Sequence, residues 1–193
     1  MLSTMVAYLS QLEIPVVRPP QDELLLQSFG QGEAIFEEIG CGQCHRPQLI
    51  LHDPILRLRP AEARYADREA IEINVAIDGD HPKIDPIDVT RSAYKVRLFS
   101  DLRRHDMGER LTSGYKQGHL SKSVFITRPL WGLVDTAPYL HDGRAPTIHD
   151  AIVWHGGEAQ PVRDVYLGLE ESERQALLIF LHSLDREPHL VVP

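Results

Sequence analysis

Cys41, Cys44 and His45 lie in the stretch Ile39-Gly40-Cys41-Gly42-Gln43-Cys44-His45-Arg46 and are spaced as C-x-x-C-H. That spacing attaches a c-type haem: the two thiols form thioether bonds to the porphyrin vinyl groups, and the histidine that follows bonds the iron. The chain has two cysteines in all, so the other uses of such a pair compete for the same residues. A zinc site takes about four ligands, and no second cysteine pair exists to supply them. A thioredoxin-type pair follows a strand in a βαβ unit. Here residues 31–39 read instead as a helix, with Ala34, Ile35, Phe36 and Ile39 apolar. A structural disulfide is not needed, because 193 residues can bury a core without one.

A haem bound this way must be enclosed by elements elsewhere in the chain. Residues 1–20 read as the tail of a helix running into a proline-rich linker at Pro15, Pro19 and Pro20. Residues 21–193 then form the haem domain, with an insertion at about 47–100. Within that insertion, residues 70–78 alternate apolar and polar as a half-buried strand does, and "AYKVRLF" is a candidate to pair with it. Residues 101–144 are loop-rich, broken by glycine and proline. In "TIHDAIVWHGG", Thr147 caps a helix with Asp150 at its third position, and Gly156-Gly157 ends it. A last helix over about 170–184 carries Ala176, Leu177, Phe180, Leu181 and Leu184 at helical spacing, with Glu170, Glu171 and Glu173 favouring its positive end. The predicted fold is mainly α: a cytochrome c-like helical domain around a covalent haem, with long loops and a small β insertion.

Charge and hydropathy narrow the partners. A formal net charge of -8 with both signs interspersed argues against a nucleic-acid partner. No apolar run approaches the ~20 residues of a membrane span. The N-terminus shows neither the positive region nor the cleavage site of a secretory signal, yet bacteria attach haem c outside the cytoplasm. We therefore expect a periplasmic or otherwise extracytoplasmic protein, and a chain that is a fragment following an upstream domain.

The residue opposite His45 on the iron decides between electron carrier and catalyst. Met107 in "HDMGE" is one candidate, because a thioether is a common sixth ligand of electron carriers. His155 is the other, projecting from the end of the capped helix against Gly156-Gly157. His141 and His105 come next. With the sixth position open, the chain would instead be a single-haem ligand-binding protein or minor peroxidase.

"RPLWGLVDTAPYLHDGRAPTIHDAIVWHGGEA", with "FSDLRRHDMG" and "GCGQCH", resembles the C-terminal haem domain of bacterial di-haem thiol oxidoreductase-like proteins, relatives of the di-haem cytochrome c peroxidases. The resemblance runs from about Gly32 to Leu184. It implies that the "TAPY-x-HDG" turn, here beginning at Thr136, is followed by a helix and then the distal ligand, which places His155 at that position and Met107 in a different loop. It also implies a Ca²⁺ site to which oxygens of Thr136 and Pro138 contribute, a cation suited to such ligands. Trp131-Gly132 stands where the peroxidases usually have Arg-Asn, a departure that favours the thiol oxidoreductase-like branch. Complete relatives carry a second C-x-x-C-H in an upstream domain, where substrate reacts. The resemblance thus implies an electron-relay domain without catalytic residues of its own, exchanging electrons with that second haem domain and with a small redox donor protein.

Overall fold

The computed structural model describes residues 5, 14–58, 70–75, 85–88, 93–116 and 118–187. Among them are four α-helices: α1 (Glu23–Glu38), α2 (Ile148–Trp154), α3 (Gln160–Gly168) and α4 (Glu171–His182). Nine short strands accompany them: β1 (Ile14–Val17), β2 (Leu49–Leu51), β3 (Ile55–Leu58), β4 (Ile71–Asn74), β5 (Asp85–Asp88), β6 (Ala93–Val96), β7 (Arg104–Asp106), β8 (Val124–Ile126) and β9 (Leu184–Glu187). This corrects the expectation of a mainly α fold. The protein is mixed α/β, with its strands gathered into several small sheets. Three or four residues of strand are too few to show a period of two, which is why the pattern of side chains hid them.

Two compact units divide the chain. The first comprises Met1–Pro15, Leu49–Val96 and Arg186–Pro193. Its described part is a three-stranded sheet in the order β2-β6-β5 and a β3-β4 pair, antiparallel throughout. The 70–78 strand is present as β4, its remaining residues lying outside the described set, but its partner is β3, with Leu56 opposite Ile73. "AYKVRLF" contributes β6, which pairs with β2 and β5 instead. Most of the expected N-terminal helix lies outside the described residues, and Ile14–Val17 forms a strand.

The second unit comprises Val16–Gln48 and Arg97–Asp185 and contains the C-x-x-C-H motif. Helix α1 starts where Asp22 Oδ1 accepts the amides of Leu24 (3.0 Å) and Leu25 (3.1 Å), satisfying two of the donors that a helix start leaves without partners. It packs on α4 at Gly32, where a side chain would meet Phe180 Cβ at 2.9 Å and the Ala176 carbonyl closer still. That close approach lets Phe36 reach the centre, its ring 5.3 Å from Phe180 and 5.9 Å from Phe99. Phe36, Phe99, Ile148, Tyr166, Leu177, Phe180, Leu181 and Leu184 make one buried cluster, and each large apolar side chain removed from water there contributes about 1.5–3 kcal/mol.

Helix α2 has the cap read from its sequence: Thr147 Oγ1 accepts the Asp150 amide at 3.1 Å, and the Asp150 carboxylate accepts the Thr147 amide at 3.2 Å. Helix α4 has the same reciprocal arrangement between Glu170 and Glu173. No described helix is long and apolar enough to cross a membrane.

Candidate haem site

The motif begins where α1 stops. Gly40, at φ 96°, turns the chain into a single 3-10 turn over Cys41–Gln43, and the His45 amide bonds back to the Cys41 carbonyl at 2.9 Å. This compact turn holds both thiols and the imidazole of the motif together. A second segment, residues 99–101, braces it from the side. The Ser100 amide donates to the Arg46 carbonyl (3.0 Å) and the Asp101 amide to the Cys44 carbonyl (2.8 Å). Phe99 and Leu102 both adopt positive φ, 50° and 56°, a conformation costly for such side chains. The bracing bonds and the burial of Phe99 in the core offset that cost.

His155 comes from a separate segment, as the cap residue of α2. Its ring centroid lies 6.4 Å from that of His45. Both rings are oriented in the same manner: His45 Nδ1–H donates to the Phe99 carbonyl at 3.1 Å and His155 Nδ1–H to the Ala151 carbonyl at 2.8 Å. A carbonyl can only accept, so each Nδ1 carries the proton and each Nε2 keeps its lone pair for a metal. Burial, with His155 nearby, lowers the His45 pKa to about 4, and burial lowers that of His155. Both rings are therefore neutral, the form that binds metal.

These features fit a haem. Two imidazoles on opposite sides of one ion, each at about 2.0–2.1 Å, put their centroids roughly 6 Å apart, close to the separation seen here. Both cysteines are free thiols. Burial pushes the Cys41 thiol up to about 12, and burial followed by the Asp101 carboxylate raises that of Cys44. A thioredoxin-type pair needs the opposite shift. No group of three or more His, Cys, Asp or Glu able to hold a metal occurs among the described residues. A haem needs only two protein ligands on its iron, because the porphyrin supplies the rest.

Met107 sits beside this site through its backbone. Its carbonyl lies 2.9 Å from where a Cβ on Gly156 would be, and a Cβ on Gly157 would meet the Gly108 amide at 2.6 Å and the Asp106 carbonyl closer still. The loop after β7 is thus pressed against the two glycines that follow His155. Gly157 also has φ +53°, so Gly157→Ala combines backbone strain with overlap. We expect it to cost about 2–4 kcal/mol, read as a lower urea midpoint. Gly168→Ala is the control, since a Cβ there meets nothing within 4 Å.

Thr136 and Pro138 are exposed on their turn, and Thr136 Oγ1 donates to the Leu133 carbonyl at 3.4 Å. Trp154 lies beneath two guanidinium groups, Arg110 and Arg144, each 4.9 Å from its ring. His141 stacks on Phe125 with 4.7 Å between centroids.

The sequence reading named His105 as a further axial candidate but not as a support, and missed Arg163. His105 lies between Glu158 (2.8 Å from Nδ1) and Asp101 (3.0 Å from Nε2), which raise its pKa, and within 3.9 Å of the Cys44 sulfur. Arg163 Nη1 donates to the His155 carbonyl at 3.0 Å, fixing the backbone that carries the ring. Neither has a local sequence signal, because each acts on a partner from a different segment.

No curated protein and no solved structure matched the chain. A family model described as "Di-haem oxidoreductase, putative peroxidase" matches residues 71–184, more than half of the chain and including His155, Thr136, Pro138 and Met107. The haem motif at Cys41 to His45 precedes the matched segment. On that match the chain belongs to the di-haem oxidoreductase family, whose cofactor is haem iron.

Proposed function

We propose that this chain is an electron-relay haem domain of a di-haem oxidoreductase. The observation that supports it best is the His45–His155 pair beside Cys41 and Cys44: two neutral, backbone-oriented imidazoles at a separation suited to one iron. In this reading Cys41 and Cys44 would hold a haem c covalently, and His45 and His155 would bind its iron. When bound, the haem supplies a one-electron couple, and two imidazoles hold that couple at a lower potential than His/Met would. Phe36 and Phe99 exclude water on one side through the buried cluster. The bond to Ala151 and the grip of Arg163 on the His155 backbone keep that ring in place, so a substrate would have to displace an anchored ligand.

The family name implies two haems and this sequence has one C-x-x-C-H. The second haem is then supplied by another domain, upstream or in another chain, and a small redox donor protein exchanges electrons with the pair. Covalent haem c would imply a protein outside the cytoplasm of a bacterium, and the Trp131-Gly132 departure supports a C-terminal domain of the thiol oxidoreductase-like branch. Oxygens of Thr136 and Pro138 contribute to a Ca²⁺ site at the domain junction.

The test uses the chain exported with haem-maturation machinery. A sharp low-spin spectrum unchanged by CO or cyanide, fast electron exchange in stopped flow, and peroxide turnover no faster than that of free haem are expected. A high-spin spectrum that shifts on CO addition, with robust peroxide turnover, would show that the sixth position is open and that the chain is a ligand-binding haem protein or minor peroxidase.

A further inference from the structure

Tyr166 is fully buried, with no exposed surface at all, yet its hydroxyl needs a partner. That partner is His149, with Nδ1 2.7 Å from the phenolic oxygen and ring centroids 5.7 Å apart. The two residues stand on different helices, α3 and α2, and the iron-binding reading uses neither.

Three observations set this pair apart from an ordinary core hydrogen bond. His149 is exposed, so the imidazole bonded to the buried phenol reaches solvent, and in the tautomer whose Nδ1 accepts from the phenol a proton leaving the buried oxygen has a way out. A cleft of about 260 Å³, lined by His149, Tyr166, Glu171, Arg174, Gln175 and Leu178, opens over the pair. Glu171 lines the same cleft as His149. Finally, Cys41 packs against the buried cluster that contains Tyr166. The pair therefore adjoins the haem attachment point.

We infer that Tyr166 and His149 form a proton-coupled redox pair beside the haem. Removing an electron from a buried phenol alone would leave a cation in an apolar core, a costly product. If the proton moves as the electron leaves, the phenolic O–H bond breaks and an Nδ1–H bond forms. The products are a neutral phenoxyl in the core and an imidazolium at the surface. One electron passes to the oxidant, whose class is the partner domain's peroxide-oxidised haem; the reverse transfer returns the electron to the phenoxyl and the proton to its oxygen. Tyr166 thus provides a stop for an oxidising equivalent between the haem and the cleft. This inference rests on the haem reading of the Cys41 site.

The test oxidises the haem-loaded chain with photogenerated tris(bipyridine)ruthenium(III) and follows the radical by freeze-quench EPR, with haem content measured separately by the pyridine spectrum. A persistent tyrosyl radical is expected in the wild type and in Tyr115→Phe, which removes a tyrosine that is 85% exposed. It should be lost in Tyr166→Phe. In His149→Phe, which keeps a ring but no base, it should be short-lived. Should Tyr166→Phe not fold, 3-fluorotyrosine installed at position 166 should alter the hyperfine pattern. A radical that survives Tyr166→Phe, ignores the fluorine label, or is indifferent to His149→Phe would overturn the inference. The same photochemistry on haem-free chain reads the tyrosine–histidine coupling alone, so failure of haem loading and failure of the redox pair give different results.

Discussion

His155→Ala is expected to convert a low-spin haem into a high-spin, CO-binding one, while Met107→Ala leaves the spectrum low-spin. The reason lies in how the two residues are held. The His155 ring faces His45 at 6.4 Å and is oriented by the Ala151 carbonyl, whereas Met107 is fixed through its backbone, its amide bonding the Ser123 carbonyl at 2.8 Å. On the proposed ligation, truncating His155 removes an iron ligand that the loop after β7 is not expected to replace. Visible spectra with and without CO decide it, and the reverse pattern would move the ligand to Met107. If neither substitution changes the spectrum, His141 and His105 become the next residues to replace. Axial ligand identity moves haem potentials over about 0.8 V, so His155→Met should raise the midpoint measurably in a redox titration.

Replacing both Cys41 and Cys44 with Ala is expected to make the haem fully extractable by acid acetone, where the wild type keeps all of it. Thioether bonds survive acid and organic solvent; axial bonds do not, because a histidine protonated at low pH no longer binds iron. The double variant retains His45 and His155 and so can still bind haem by coordination, which makes extraction and not binding the discriminating measurement. Complete extraction from the wild type would remove the covalent attachment from the reading, and with it the argument for an extracytoplasmic location.

The parts of the fold that could be read in advance are those whose interactions close within a few residues. Thr147 and Asp150 cap α2 from three positions apart, and the stripe Ala176, Leu177, Phe180, Leu181 marks the buried face of α4. Helix α3 went unread: it starts without a side-chain cap, so the signals that marked its neighbours were missing. The β part failed for a different reason. The residues of β6 pair with β2 and β5 and not with β4, a choice made by contacts across tens of residues, and the strands are too short for alternation to specify a register. A mainly α reading follows naturally when local signals are strong for helices and weak for strands.

The contrast is sharpest at the site. Cys41, Cys44 and His45 fall within one five-residue stretch, so their spacing alone specifies a chemistry: one turn of chain brings two thiols and an imidazole together whatever surrounds them. That motif, with the charge balance, the cap of α2 and the stripe of α4, is what the sequence determined without help. Tertiary structure decided what that turn meets: the Phe99 carbonyl that sets the tautomer of His45, the His155 ring across from it, and the Arg163 that steadies the far side. It also joined His149 to Tyr166 across two helices. No spacing rule encodes such pairings, because each depends on burying Phe36, Phe99 and Phe180 in one cluster. Only when that apolar surface leaves water do distant polar groups come within bonding range.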